Sequence, residues 1–369
     1  MNYIFYQTKT KYTNAGDVLI NKALITKLRN FGVIKANCSE SIPDIFLEKL
    51  GITQEERLVS RNEIDFSFAI IKFALKHNKD NIYIFSGLGD SYGGGIKRVF
   101  RNLMSGSVYM IYKLLGIKTV RIGRSVGTYT KAMAISERFK ALFTDFNYLR
   151  DTKSIEKCRN MKIKGAQFCP DMSWLYEYSE RRSLNSCNKI AFFMRAAVTG
   201  KYDDTVAGVV QKRCEEIMVT LSKCIGNDLK IIFAYQVIED QTLAKKLYDK
   251  FKDKYNCEYI DKQLELSEAE SVYGNTDIHI SNRLHSLLLG YKYGSLPIAL
   301  LDVNSHYKIS ATYEDSGLDD MMFDYNEEIN SNRLAHIVYN REDYFEKIIE
   351  IERKNANQIE EILRTKVFG

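Results

Sequence analysis

Asp277-Ile278-His279-Ile280-Ser281-Asn282-Arg283-Leu284-His285-Ser286-Leu287-Leu288-Leu289-Gly290-Tyr291-Lys292-Tyr293-Gly294-Ser295-Leu296-Pro297-Ile298-Ala299-Leu300-Leu301 reads as strand, helix, strand. Residues 277–280 form a short apolar run, and 283–293 carry apolar positions at helical spacing. Gly294 then stops the helix, and 297–301 is a second apolar run. Two buried strands joined by a helix form the unit of a parallel sheet. The apolar stretch 284–301 contains Lys292 and Pro297, so it reads as a buried helix and strand and not as a membrane span.

The same alternation extends in both directions. Strands are expected at 189–194, 230–234 and 258–260, with helices at 206–224 and 241–254. Upstream of the polar stretch 180–188, strands are expected at 3–6, 81–86 and 118–122, with helices at 17–30 and 132–142. Residues 341–366 read as a long charged helix. The stretch 180–188 is the linker candidate. The expected division is therefore 1–185, 186–340 and a C-terminal helix, 341–369. The fold class is α/β, two Rossmann-like domains facing a central cleft, as in GT-B sugar-transferring enzymes. A length of 369 residues suits two cores. In such sheets ligands bind beyond the carboxyl ends of the strands, where strand order reverses.

Composition narrows the class. Hydrophobic residues make up 45% and charged residues 27%, a soluble globular mixture with three prolines and no short repeat. The N-terminus turns polar at Gln7 and lacks the apolar core of a signal peptide, so a cytoplasmic location is expected. Seven scattered cysteines, odd in number and without a CxxC pair, fit reduced thiols better than disulfides or a zinc site. The net charge of +6 is unevenly spread. Between Gly93 and Lys140 stand ten basic residues (Lys97, Arg98, Arg101, Lys113, Lys118, Arg121, Arg124, Lys131, Arg138, Lys140) against one acid, Glu137. Apolar residues such as Val99, Phe100, Leu103, Met104, Ile111 and Leu114 interleave them. This segment reads either as a solvated helix face or as a surface for anionic lipid head groups or a pyrophosphate. No recognition motif accompanies the charge, so nucleic acid is not an expected partner.

The residues able to carry chemistry cluster at strand ends. Arg283 and His285 lie at a strand-to-helix transition, where free N–H groups and the helix dipole favour an anion. Arg283 suits a phosphate or carboxylate through paired hydrogen bonds, and an imidazole such as that of His285 can pass a proton. The competing reading is a basic first turn with a satisfied histidine. A second string, Ser331-Asn332-Arg333-Leu334-Ala335-His336, lacks the apolar helix and the Gly-x-x-Pro that follow the first, and reads as accidental. Arg195 ends a strand and is either a cleft cation or a surface arginine. Asp17, in Asn14-Ala15-Gly16-Asp17, is either a helix cap or a ligand for a sugar hydroxyl. The run Gly87-Leu88-Gly89-Asp90 through Gly95 permits close backbone approach. Lys308, after the last domain strand, is either a second cation for the same anion or an exposed lysine.

Taken in order, these pieces resemble the polysaccharide pyruvyltransferase family. The series runs Asn14-Ala15-Gly16-Asp17, Ser86-Gly87 with the glycine run, and Arg121-x-Gly123-x-Ser125-x-Gly127. It continues with Leu149-Arg150-Asp151-x-x-Ser154, Pro170-Asp171, Phe193-Met194-Arg195 and Ser281-Asn282-Arg283-Leu284-His285 with Gly294 and Pro297. The resemblance implies a two-domain enzyme that takes pyruvate from phosphoenolpyruvate and builds a cyclic ketal on a hexose. It implies that Arg195, Arg283 and Leu284 bind phosphoenolpyruvate and that His285 is the acid. Lys308 would match the family's lysine beyond the last strand, at a slightly longer spacing. Asn14, Asp17, Gly87 and Asp90 fall on the acceptor side. No cofactor beyond the donor and no metal are expected. The expected acceptor is a lipid-pyrophosphate-linked precursor of a capsular or exopolysaccharide, galactose 4,6-ketal first, with peripheral contact at the inner face of the membrane. The alternative is a nucleotide-sugar glycosyltransferase of the same fold. A catalytically silent scaffold is disfavoured by Arg283 and His285.

Overall fold

A computed structural model describes the chain except for residues 9, 11, 87, 92, 179–186, 199–200 and 227 and the side chains at 90, 197, 198, 269 and 270. The chain divides into two compact units. The first comprises Met1–Thr13, Asp17–Tyr176 and Lys354–Gly369, and the second Asn14–Gly16 and Glu177–Arg353. The expected linker lies mostly outside the described residues. The expected separate C-terminal helix does not stand as a third body, since residues up to Arg353 belong to the second unit and the remainder to the first. Asn14-Ala15-Gly16, read as part of the first domain, groups with the second unit.

The first unit is built on strands β1 (Asn2–Tyr6), β2 (Val33–Ser39), β3 (Arg57–Ser60), β4 (Asn81–Ser86), β5 (Gly89–Ser91), β6 (Lys118–Val126), β7 (Phe146–Leu149) and β8 (Ala166–Phe168). Their order is β3-β2-β1-β4-β6-β7-β8, with β5 paired to β6, and every pairing is parallel. Helices α1 (Ala15–Leu28), α2 (Asp44–Lys49), α3 (Glu63–Lys76), α4 (Ile96–Leu114), α5 (Lys131–Ala141) and α6 (Thr152–Asn160) make the crossovers. Local chemistry starts them. Asn62 Oδ1 accepts from Ile64 and Asp65 N–H at the head of α3, and Asp151 Oδ1 accepts from Ser154 N–H at the head of α6.

The second unit repeats the plan. After β9 (Lys189–Phe193) and a small antiparallel pair, β10 (Ala197–Val198) and β11 (Lys201–Tyr202), come α7 (Asp204–Ile225), β12 (Lys230–Tyr235), α8 (Gln241–Phe251) and β13 (Asn256–Gln263). They are followed by α9 (Ala269–Tyr273), β14 (Ile278–Ser281), α10 (Leu284–Lys292), β15 (Leu296–Leu301), α11 (Tyr307–Ser316) and β16 (Met322–Asp324). The sheet order is β13-β12-β9-β14-β15-β16, all parallel. In each unit the chain starts mid-sheet, builds to one edge, and crosses back. The order reverses between β1 and β4 in the first and between β9 and β14 in the second. Helix α12 (Ser331–Tyr339) and helix α13 (Arg341–Glu361) close the chain, the latter running on into a π-helical turn, Ile362–Val367.

Strand β6 exceeds its expected length, because its second half is polar yet buried. Gly123 has φ +69°, and the β6–β7 register shifts between Arg121 and Arg124. The extra residue of this bulge turns both arginines to one carboxylate. Glu137 Oε1 lies 2.6 Å from Arg121 Nη2 and 2.7 Å from Arg124 Nη2, and Asn102 Nδ2 donates to Oε2 at 2.9 Å. A network beside it ties the strand ends together. Arg150 donates to Ser125 Oγ and Asp171, Ser125 Oγ donates to Asp151 Oδ2, and Ser154 Oγ accepts from Val126 N–H. Arg121, Ser125, Arg150, Asp151, Ser154 and Asp171, part of the series that carries the family resemblance, are thus a buried scaffold.

Glu137 should dominate the acid stability of this unit. Burial pushes its carboxyl up, but Arg124, Lys140 and the hydrogen bonds from Arg124 and Asn102 more than offset that, leaving it below the ordinary range. Its contribution is therefore complete above the unfolded value of about 4.3 and is lost as pH falls through the lower folded value. Glu137→Gln leaves two buried guanidiniums unpaired and is expected to cost about 3–5 kcal/mol at neutral pH. Urea unfolding at several pH values checks this, and the variant's loss should shrink toward acid.

Candidate functional site

Two small polar residues at the end of β14 set up the second unit's site. Ser281 Oγ donates to Phe193 O at 2.6 Å and accepts Arg283 N–H at 3.0 Å. Asn282 Nδ2 donates to Arg195 O, and its Oδ1 accepts Arg195 N–H, both at 2.8 Å. Ser281 and Asn282 are buried. They brace the carboxyl ends of β9 and β14 where strand order reverses, and so fix where Arg195 and Arg283 begin. Arg283 then caps α10 with extended backbone, φ −122° and ψ 117°, and makes no side-chain cap. The first-turn N–H groups of a helix have no intrahelical acceptor, so this end suits an anion.

The Arg283 side chain already has a carboxylate partner. Its Nε donates to Asp240 Oδ2 and its Nη2 to Asp240 Oδ1 at 2.7 Å. Asp240 closes the short turn Ile238–Asp240 after β12 and is 2% exposed. Burial pushes its carboxyl above the ordinary range, and Arg283 and Arg195 offset that only in part. His306 precedes α11, with Nδ1 3.2 Å from Asp302 O. Burial holds its pKa down, the Asp302 carbonyl opposes this, and the charges of Arg195 and Arg283 lower it further. Tyr325, just past β16, lies edge-on to the His306 ring at 6.2 Å and also feels Arg195. Groups from the ends of β9, β12, β14, β15 and β16 therefore share one electrostatic environment, and the imidazole is neutral at neutral pH.

The expected site residues distribute as follows. Arg283 is bonded to Asp240, and the charge of Arg195 also acts on that carboxylate. Leu284 is buried as the first residue of α10. His285, half-buried, packs against Gly16, where an added Cβ would come within 2.3 Å of Nδ1. Asn14 Oδ1 accepts Gly16 N–H at 2.9 Å, which opens the α1 turn. Asp17 stands half-buried in the first turn of α1. Lys308 is half-buried in the first turn of α11, with Nζ 5.8 Å from the Tyr307 ring centroid. Gly87 and the Asp90 side chain lie outside the described residues, and the Asp90 backbone pairs with Ser125. The second Arg-Leu string is structural. Arg333 lies in α12, 4.1 Å over the Phe323 ring, and donates to Met322 O.

Asp240 and His306 are not among the residues that sequence reading singles out. The signal for Asp240 is a polar residue just after a buried strand and just before a helix, the kind of position that marks Arg195. Beneath α10 lies a further polar layer. Gln236, Tyr273, Ser286 and His279 are linked by contacts of 2.6, 3.3 and 2.8 Å. Burial lowers His279 to about 3, so it is neutral, and Gly290 lies so close that a Cβ would stand 2.9 Å from its ring.

Two Rossmann-like units of this topology, each with a strand-order reversal, define a GT-B fold. Solved structures with that fold include a UDP-N-acetylglucosamine 2-epimerase described as putative from Listeria monocytogenes (9% identity, TM-score 0.57, covering 99% of this chain and 96% of that one). Another is the UDP-GlcNAc 2-epimerase of Methanocaldococcus jannaschii (10% identity, TM-score 0.55, covering all of both chains). At such identities the likeness concerns fold alone. No curated protein sequence matches the chain. The sequence pattern of the polysaccharide pyruvyl transferase family matches residues 14–294, and the chain belongs to that family. It is a pyruvyltransferase.

The Asp240–Arg283 pair yields a test. Asp240→Asn keeps the shape but removes the charge that orients the guanidinium. A charge-assisted hydrogen bond contributes about 1.5–3 kcal/mol, so affinity for any anionic donor that Arg283 holds, phosphoenolpyruvate being the one to test, should fall about ten- to a hundredfold. Isothermal titration measures it. Unchanged affinity would mean that Arg283 is placed without Asp240, or is not a donor contact.

Proposed function

We propose that this pyruvyltransferase takes its pyruvyl group from phosphoenolpyruvate and closes a ketal on a hexose of a lipid-linked capsular or exopolysaccharide precursor, galactose 4,6 first. The observation that supports this reading most is the Asn282 brace that fixes the Arg195 backbone next to Arg283 at the head of α10. Phosphoenolpyruvate carries a phosphate and a carboxylate, and two guanidiniums with a helix N-terminus suit such an ion. With the Nε edge of Arg283 on Asp240, the donor would meet the far edge of its fork. Leu284 would contribute backbone contact, and Lys308 a further cation. Asn14, Asp17, Gly87 and Asp90 remain the acceptor candidates.

In the proposed chemistry His285 gives a proton to the methylene carbon, which becomes the methyl group and leaves C2 oxocarbenium-like. One sugar hydroxyl adds at C2, the C2–O bond to phosphate breaks, and the second hydroxyl closes the ring. One hydroxyl proton restores His285 and the other leaves with inorganic phosphate, so the protons balance. No metal or further cofactor enters. The neutral state of His306 suits the free enzyme, and a bound anion would ease its protonation.

His285→Ala should lower turnover about 10²–10⁴-fold while donor affinity largely survives. Near wild-type turnover would remove His285 as the acid. The activity itself is read by incubating the protein with phosphoenolpyruvate and aryl galactosides, mannosides and N-acetylmannosaminides. Phosphate release matched by an acceptor mass gain of pyruvate less water is the expected result. Stabilisation against heat by a sugar nucleotide, with no effect of phosphoenolpyruvate, would instead favour a glycosyltransferase.

A further inference from the structure

Helix α4 buries one face and leaves an apolar face outside. Val99, Gly106, Tyr109 and Tyr112 point into the unit. At Gly106 a Cβ would stand 2.7 Å from the Phe139 ring, so α4 lies tightly on α5 and its outward face is fixed. That face carries Ile96, Phe100, Leu103, Met104, Ile111 and Leu114, spaced as a helical stripe and exposed, with Ile96 at 78% and Leu114 at 81%. Phe68 and Leu75 of α3 are exposed too, and α3 shares its core with α4 through Phe66, Ile70, Tyr109 and Tyr112. An exposed apolar helix stripe of this kind is uncommon on a protein with no partner for it.

The charges on α4 itself have one sign, although Lys113 Nζ also lies 4.0 Å from Asp145 and α3 starts with Glu63 and Asp65. Lys97, Arg98, Arg101 and Lys113 are exposed. The only acid between Gly93 and Lys140, Glu137, is buried and held by Arg121 and Arg124. An apolar stripe flanked by cations matches an anionic phospholipid surface, which accepts the apolar side chains at the acyl boundary and the cations at its phosphates. A second copy fits less well. Two such faces set together would oppose Lys97, Arg101 and Lys113 with the same cations and supply no exposed acid from this segment.

We propose that α4 is a membrane-docking helix that lies in the plane of an anionic phospholipid surface, apolar stripe inward. Long basic side chains lay their stems along the apolar stripe and raise their charges to the head groups. Docking is independent of the donor chemistry, and it would bring the enzyme to an acceptor that is itself lipid-linked.

Flotation of the full chain tests the proposal. The protein should float with vesicles of phosphatidylcholine and phosphatidylglycerol and stay below with phosphatidylcholine alone. Phe100→Asp with Leu114→Asp should abolish flotation without changing circular dichroism. Lys97→Ala and Arg101→Ala should each weaken it about fivefold. Trp174 is the only tryptophan and is buried, so Phe100→Trp adds an independent optical probe. The added indole's emission should shift to the blue on anionic vesicles. Two results would overturn the proposal. One is failure to float on anionic vesicles together with an unshifted emission from the Phe100→Trp protein. The other is a dimer in solution that the Phe100→Asp change dissociates, which would make the occupant a second copy. Ketal formation on a soluble aryl glycoside is scored separately, so a failed flotation leaves the donor reading intact.

Discussion

Where β14 hands over to α10, a buried asparagine amide closes two hydrogen bonds on the Arg195 backbone, and a buried serine hydroxyl joins the neighbouring carbonyl of β9. These contacts can form only because β14 lies next to β9, although 88 residues of chain separate Ser281 from Phe193. The crossover that reverses strand order therefore does more than arrange a sheet. It leaves two strand ends without further ladder partners, side by side, and the Ser-Asn pair satisfies the backbone groups so exposed. The brace thus fixes the backbone at both Arg195 and Arg283.

Asp240 then decides the electrostatics. Burial first, and then the charges of Arg195 and Arg283, depress the ionisation of His306. A single carboxylate, itself costly to bury, neutralises one of them and aligns its fork. The aligned guanidinium stands at the head of α10, beside first-turn N–H groups that have no intrahelical acceptor. The neutral His279 beneath α10 adds no further cation there.

The apolar parts of this plan are legible in sequence. Strands β4, β9, β14 and β15 are short apolar runs, and their ends agree with the sequence reading to within a residue or two. The alternation of strand and helix carries the class of fold. Strand β6 reads short because Arg121, Arg124 and Ser125 look like solvent-facing residues until the Gly123 bulge and Glu137 bury them. The edge strand β13, largely polar, reads short for a related reason. Asp240 and His306 are illegible because their partners lie 43 residues away or come from other strand ends. Gly16 looks like part of a turn, and only its closeness to His285 shows why a side chain would not fit.

The motif residues shared with the family divide by how well they are satisfied. In the first unit, Ser125, Arg150, Asp151, Ser154 and Asp171 are bonded to one another, and Arg121 shares Glu137 with its neighbour Arg124. Such a network has a structural reason to exist with no substrate present. In the second unit, Ser281 and Asn282 are likewise consumed by the fold, whereas Arg283 keeps part of its fork beyond Asp240 and stands at a helix N-terminus. A shared motif therefore mixes two kinds of residue, and spacing in sequence does not separate them. Hydrogen-bond accounting does: a residue whose donors and acceptors are all met by the fold holds the site up, and a charged residue with capacity left over at a strand-order reversal is where chemistry has room to occur.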